Sequence, residues 1–420
     1  MTDALNKYQN GIGLINYIVF LVFLFLLPMP WHFVQPVWVI WLIAWALEGR
    51  WLQKDNYHFS KAIVPQLMIM LFILWEAISL IWTSDVSMGL KDISKHVYFA
   101  AVLIISCIGV NNRYKATPMK AAVYIGSVVA VISYAMVSYW VKMTWPANPY
   151  PEITFANYIG GPQMLGIKHH LYLCLVLLPA FCFSPDIYKS LAKRIRKEYA
   201  AACIAAGDAI ILFGILASDC RIAIVTLPIA MIYMLFIHYQ GQKKKSLLVG
   251  TIIAICVIMG VAVSINNRFS AVSDYFGTTY EEQKQQTYTY GEDDRPYLWH
   301  CFFAHVKDYG VIGKGLGSEE KTMNTYFEQD GQTFSLSESH NTHSTYFSTW
   351  LQLGPLAMLS LIIILCCTPF CYPKNLRHRV ALICIIIAIA MVTETILWRM
   401  SSLHTIFALL MLSQPYKRYE

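Results

Sequence analysis

Apolar residues in this chain run in long unbroken blocks with short polar breaks between them, and one much longer polar stretch interrupts the series at residues 266–343. Blocks of this length suit helices crossing a hydrocarbon core of about 30 Å, which takes roughly 20 residues. In lipid every backbone group needs an internal partner, so such blocks read as helices. They are continuous rather than alternating, which points away from a β-barrel. Read with a window of about 19 residues, the sequence predicts twelve spans, at about residues 12–30, 35–49, 62–82, 95–110, 119–141, 168–184, 200–217, 222–239, 246–265, 344–370, 380–398 and 400–415. The expected fold is all-α and polytopic. Nine transmembrane helices occupy 1–265, a large and partly helical outer loop carries 266–343, and three further helices fill 344–420.

Composition agrees with that reading. Hydrophobic residues make up 57% and charged residues 14% of the 420 positions, where a soluble domain carries about a quarter charged. The net charge of +7 does not call for a nucleic-acid partner, because most of the Lys and Arg residues sit in short loops. Arg50, Lys54 and Lys61 share one loop, Arg113, Lys115 and Lys120 the next, and Lys189, Lys193, Arg194, Arg196 and Lys197 a third. Lys243 to Lys245, Lys374, Arg377, Arg379, Lys417 and Arg418 continue the series. By the positive-inside rule these loops are cytoplasmic, as are both termini, and 266–343 lies on the outer side. The polar start MTDALNKYQNGIG lacks the layout of a removable leader, so the first block is expected to stay as a helix. Most of the eleven cysteines fall in apolar blocks as small buried hydrophobes; Cys220 and Cys301 look extracytoplasmic and could form a bridge.

The polar residues at the outer boundaries carry the candidate chemistry. The stretch SESHNTHSTYFSTW places Glu338, His340 and His343 immediately before an apolar block. Histidine is the side chain best suited to accept a proton near neutral pH; His340 is expected about one turn ahead of a rigid helix, with His343 able to share its face. In DDRPYLWHCFFAHV a helix beginning near Asp293 or Asp294 puts Arg295 in its first turn, against the helix dipole, which makes sense beside an anion. Arg221, in LASDCRIAIVTLP, sits at an outer hinge between two blocks. It reads either as a side chain snorkelling to headgroups or as a planar fork for phosphate oxygens. Arg399 has a similar place, and His169 and His170 mark another outer boundary, structural or lining an acceptor. Two arginines and a histidine at the outer surface suit displacement of a lipid diphosphate, with the guanidinium groups holding the departing charge and the base taking a hydroxyl proton. No Gly-rich phosphate loop, CxxC, HExxH or GxSxG occurs, and no closed ligand set calls for a metal or cofactor.

At these residues the chain resembles the O-antigen ligase and polymerase superfamily. Three motifs carry the likeness in order: SDCRIA with Arg221, DRPYLWHCFFAHVKDYGVIGKGLGS with Arg295, Gly315 and Gly317, and SHNTHSTYFSTWLQLGPLAML with His340 and Asn341. Upstream, LIWTSDVSMGLKDISKHVYF is similar to an early segment of the family. Two positions depart from the pattern: Asp-Cys stands where a Ser/Thr precedes the first arginine, and Ala357 stands for a second glycine after Gly354. The resemblance implies a metal-independent, inverting, GT-C-like glycosyltransferase of the bacterial inner membrane with a periplasmic site. Its donor would be an undecaprenyl-diphosphate-linked glycan, with His340 activating the acceptor hydroxyl and Arg221 and Arg295 binding the diphosphate. A ligase would use a sugar of the lipid A core as acceptor, a polymerase another lipid-linked repeat; SLSESHN, Ser- and Glu-rich just before the His-Asn pair, favours the ligase. A lipid or glycan transporter is the alternative from another class, and would show charged or broken helices at mid-bilayer and inverted repeats.

Overall fold

A computed structural model describes residues 2–52, 61–144, 170–218, 220–239, 275–288 and 294–413. These residues fold as helices and connecting turns, with no strand among them. In chain order come α1 (Thr2–Leu26), α2 (Trp31–Leu47), α3 (Val64–Ser79), α4 (Val86–Lys95), α5 (Val97–Ile108), α6 (Ala116–Thr144), α7 (His170–Leu191), α8 (Lys197–Ala217) and α9 (Arg221–Tyr239). Then follow α10 (Tyr280–Lys284), α11 (Arg295–Ala304), α12 (Glu319–Asp330), α13 (Thr333–Ser337), α14 (Thr345–Leu353), α15 (Pro355–Cys367), α16 (Lys374–Thr393) and α17 (Met400–Leu412).

The chain is a polytopic integral membrane protein. Among the described residues, six segments are long and apolar enough to cross a bilayer: Tyr8–Leu26, Lys61–Ser79, Ala116–Trp140, His170–Leu191, Lys197–Ala217 and Lys374–Thr393. Ile222–Leu235, Pro355–Cys371 and Met400–Leu412 are shorter apolar helices. The block expected at 246–265 lies outside the described residues. Two other expected spans are broken. At 95–110 the chain turns at His96, leaving α5 only 12 residues long. At 344–370 it breaks between α14 and α15, because Gly354 adopts φ +89° and Pro355 cannot supply an amide to the helix before it.

Two compact units interleave in sequence. One comprises Met1–Ser60, Ile104–Met259 and Met400–Glu420. Its described centre is α7, buried without interruption from Leu171 to Ser184 and packed by α6, α8, α9 and α17. The other comprises Lys61–Leu103 and Gly260–Arg399. Its core outside the long apolar helices gathers Tyr297, Leu298, Phe302, Met323, Phe327 and Leu351, with Phe302 stacked on Phe347 at 4.6 Å. Cys220 and Cys301 are both buried thiols outside any disulfide, so the bridge considered from sequence is not formed; Cys301 belongs to this aromatic core.

The break at Gly354 organises the second unit. A helix end leaves its last four carbonyls without intrahelical partners, and here each is bonded. Trp350 O accepts from Gly354 N at 2.9 Å, Leu351 O from Lys314 N at 2.9 Å and Gln352 O from Gly315 N at 2.8 Å. Leu353 O accepts from Trp75 Nε1 at 3.1 Å. The loop Gly310–Ser318 is thus drawn into the hinge so closely that a Cβ on Gly354 would lie 2.0 Å from Val311 O, and one on Gly313 would lie 2.4 Å from Gln352 O. The far side of the loop rests on the corner before α4: Leu316 N donates to Ser79 Oγ at 3.0 Å and Thr83 Oγ1 to Leu316 O at 2.7 Å. Gly354→Ala must therefore both adopt a glycine-only backbone and displace this loop. We expect it to lower stability by about 1–3 kcal/mol for the backbone alone, read as thermal unfolding of the detergent-solubilised protein, whereas Leu356→Ala, at a side chain 68% exposed, should change it little.

Candidate active site

The candidate site assembles within the second unit, where the turn Ser339–His343 meets the start of α11. His340 precedes α14 by five residues and lies on irregular backbone. Ser339 at φ 49° and His343 at φ 47° bracket the turn, and they are the positive-φ non-glycine residues among those described. Such conformations cost about 1–3 kcal/mol each and persist only where the surroundings impose them. Asn341 Oδ1 accepts from His343 N at 2.9 Å, tightening the turn from within, and Asn341 Nδ2 reaches Thr395 Oγ1 at 3.4 Å.

Asp294 is the partner of His340. It occupies the N-cap position of α11 yet does not cap that helix with its side chain. Its Oδ2 instead accepts from His340 Nδ1 at 2.6 Å and from Ser335 Oγ at 2.8 Å, and the residue is 4% exposed. A carboxylate here requires the proton on Nδ1, which leaves Nε2 as the nitrogen able to take one. Burial disfavours the imidazolium of His340, but the hydrogen bond and charge of Asp294, helped by Glu338 and opposed by Arg295, carry its pKa above the ordinary 6.5. Arg295 is thus near enough to be felt by the ring, and it opens α11 as the sequence indicated. Glu338 is exposed and contributes charge without contact. His343 meets His340 edge to face at 5.4 Å across the turn, not along a helix face, and its Nδ1 lies 3.8 Å from Glu394 Oε2.

Glu394 ends α16, and the segment that follows it is stitched to the start of α14: Glu394 O accepts from Thr345 Oγ1 at 2.6 Å and from Thr345 N at 3.2 Å. Arg399 closes this segment and is exposed. Behind it, His96 Nε2 bonds Leu397 O at 3.0 Å while Nδ1 meets Glu76 Oε2 at 2.6 Å. Arg221 and His170 stand in the other unit, as the first residues of α9 and α7; His169 lies outside the described residues. Among the described residues no three His, Cys, Asp or Glu side chains converge as metal ligands do.

Sequence reading missed Asp294, Ser335 and Glu319. An aspartate before a helix is most simply an N-cap, and nothing local shows that it turns to a histidine 46 residues on. The doubled acid in DDRP was the available signal.

The comparisons with known proteins bear on this same segment. Residues 206–362 match a family model described as O-antigen ligase, the superfamily that the sequence motifs resemble. The match takes in Arg221, Asp294, Arg295, His340, Asn341 and the hinge at Gly354. No curated protein matches the chain.

The raised pKa of His340 fixes a sign. A group whose folded pKa is raised stabilises the fold fully below its unfolded pKa, near 6.5, and loses that contribution as pH rises through the folded value. Asp294→Asn removes the charge and leaves only a neutral amide oxygen as acceptor, so burial should prevail. We expect the pKa of His340 to fall, and the extra stability seen at pH 5 relative to pH 8 to shrink, measured by ring titration and thermal unfolding. An unchanged titration would contradict the pairing.

Proposed function

We propose that this protein is a glycosyltransferase of the inner membrane that moves a glycan from a polyprenyl-diphosphate carrier onto a hydroxyl of an acceptor glycolipid. What carries the reading is the His340–Asp294 pair beside Arg295, inside the segment matched to O-antigen ligases. Among the described residues, His340 Nε2 has no protein hydrogen bond, which suits it to meet a substrate hydroxyl.

In the proposed step, the acceptor hydroxyl oxygen attacks the anomeric carbon of the donor from the face opposite the diphosphate. Its proton passes to His340 Nε2 while the carbon–oxygen bond to the diphosphate breaks. The imidazolium that forms is held by Asp294. Arg295 stabilises the charge gathering on the departing diphosphate; Arg221 keeps the part that the family resemblance gives it, as a second guanidinium for the same anion. No covalent glycosyl-enzyme is required, and one displacement inverts the anomeric centre. We place the site on the periplasmic side, with the 266–343 segment outside and both termini in the cytoplasm, because the basic short loops favour that orientation. The donor is proposed to be undecaprenyl-diphosphate-linked O-antigen and the acceptor a sugar of the lipid A core, the ligase reading being favoured by the family description.

Purified protein reconstituted with undecaprenyl-diphosphate glycan and rough lipid A core should transfer glycan to the core. His340→Ala should lower the rate by at least about a hundredfold with insertion intact. Arg221→Lys, which keeps charge but loses the planar fork, should be badly impaired. Near-wild-type transfer by both variants would refute the site. Lengthening of the donor without use of core would make the enzyme a polymerase.

A further inference from the structure

A second buried carboxylate lies beneath the His-Asn turn. Glu319 is the first residue of α12, directly after the Gly310–Ser318 loop, and is 9% exposed. Its Oε1 accepts from Thr342 N at 3.0 Å and from Thr342 Oγ1 at 2.8 Å. Its Oε2 accepts from Ser348 Oγ and from Gln352 Nε2, the latter at 3.4 Å. Gln352 in turn accepts from Gly317 N at 2.6 Å through Oε1 and donates to Ser348 Oγ at 2.9 Å. One carboxylate therefore ties together the glycine loop, α12, α14 and the turn that carries His340.

Thr342 is the point at which the turn is gripped. It sits between the two positive-φ residues, and its carbonyl accepts from Trp299 Nε1 at 3.1 Å while Glu319 holds its amide and hydroxyl. A backbone bent against its own preference needs such fixed points or it relaxes. Every group facing Glu319 in these contacts is a donor, which suits an ionised carboxylate and no neutral isostere. Burial pushes its carboxyl up, and the bonds from Ser348 and Thr342 offset only part of that.

We infer that Glu319 is a positioning residue that fixes the Ser339–His343 turn through Thr342 and so holds His340 Nδ1 on Asp294. The inference rests on the proposed role of His340. Glu319→Gln keeps the size of the side chain but turns an amide NH2 toward donors, so the turn is released and the bond to Asp294 loosens. Glu319 does not touch substrate; its effect reaches the reaction only through His340.

The test uses two readouts on the full-length protein. Modification of His340 by diethyl pyrocarbonate across pH, followed by peptide mass spectrometry, titrates the ring without any transfer reaction. Transfer kinetics separate kcat from KM. For Glu319→Gln we expect the His340 pKa to fall, and kcat to drop about a hundredfold with donor KM nearly unchanged, as for a small misplacement of a reacting group. Thr342→Val, which removes one of the two bonds at the turn, should move both readouts the same way and decides the matter alone if Glu319→Gln does not fold. An unchanged His340 titration in the folded variants, whatever happens to thermal stability, would overturn the inference. A titration shift in a protein that transfers no glycan would uphold the positioning and reject the proposed function instead.

Discussion

Backbone groups buried away from water must be paired, and that constraint is sharpest where the chain breaks a helix at Gly354 and Pro355. The carbonyls freed there are bonded by Lys314 N, Gly315 N and Trp75 Nε1, so the glycine loop is a structural requirement of the break. Once the loop is fixed, α12 begins at a fixed place, and with it Glu319. From Glu319 the chain of contacts runs through Thr342 to a turn strained at both ends. The strain is tolerated because the packed elements around it leave the turn no cheaper arrangement.

On that frame the site separates two acids by task. Asp294 faces the ring of His340 and fixes its tautomer, whereas Glu319 faces donors and fixes its backbone. The ion Asp294 stabilises is the imidazolium that a general base becomes, so the same contact that orients the ring also raises its basicity. Arg295 follows Asp294 in the chain, and its charge is felt at the ring as an opposing influence. A base and an anion site set side by side in this way suit a reaction in which a proton arrives as a diphosphate departs.

Much of the fold was legible because the apolar blocks are long and their period unmistakable. The helices of α6, α7 and α8 lie close to where the blocks placed them. The breaks at His96 and Gly354 were not legible as breaks, since an apolar run containing a glycine still reads as one span until a loop is known to supply the missing bonds. His340 and the arginines could be picked out as polar residues at apolar boundaries. Their supports could not, because Asp294, Thr342 and Glu319 act across the fold and carry ordinary local explanations: an N-cap, a turn residue and the first acid of a helix. The match of 206–362 to a family model described as O-antigen ligase then joins the chemistry read from single residues to a reaction class that the geometry alone would leave broad.

The central claim is that His340, held by Asp294, removes the acceptor proton in the rate-determining chemical step. Its most direct test is the pH dependence of single-turnover transfer with donor prebound to the reconstituted enzyme. The account predicts a rate that rises with unit slope at acid pH, levels off above the ordinary histidine pKa of about 6.5, and loses this limb in His340→Ala. A flat profile in the wild-type enzyme, or an acid limb that survives the removal of His340, would contradict it.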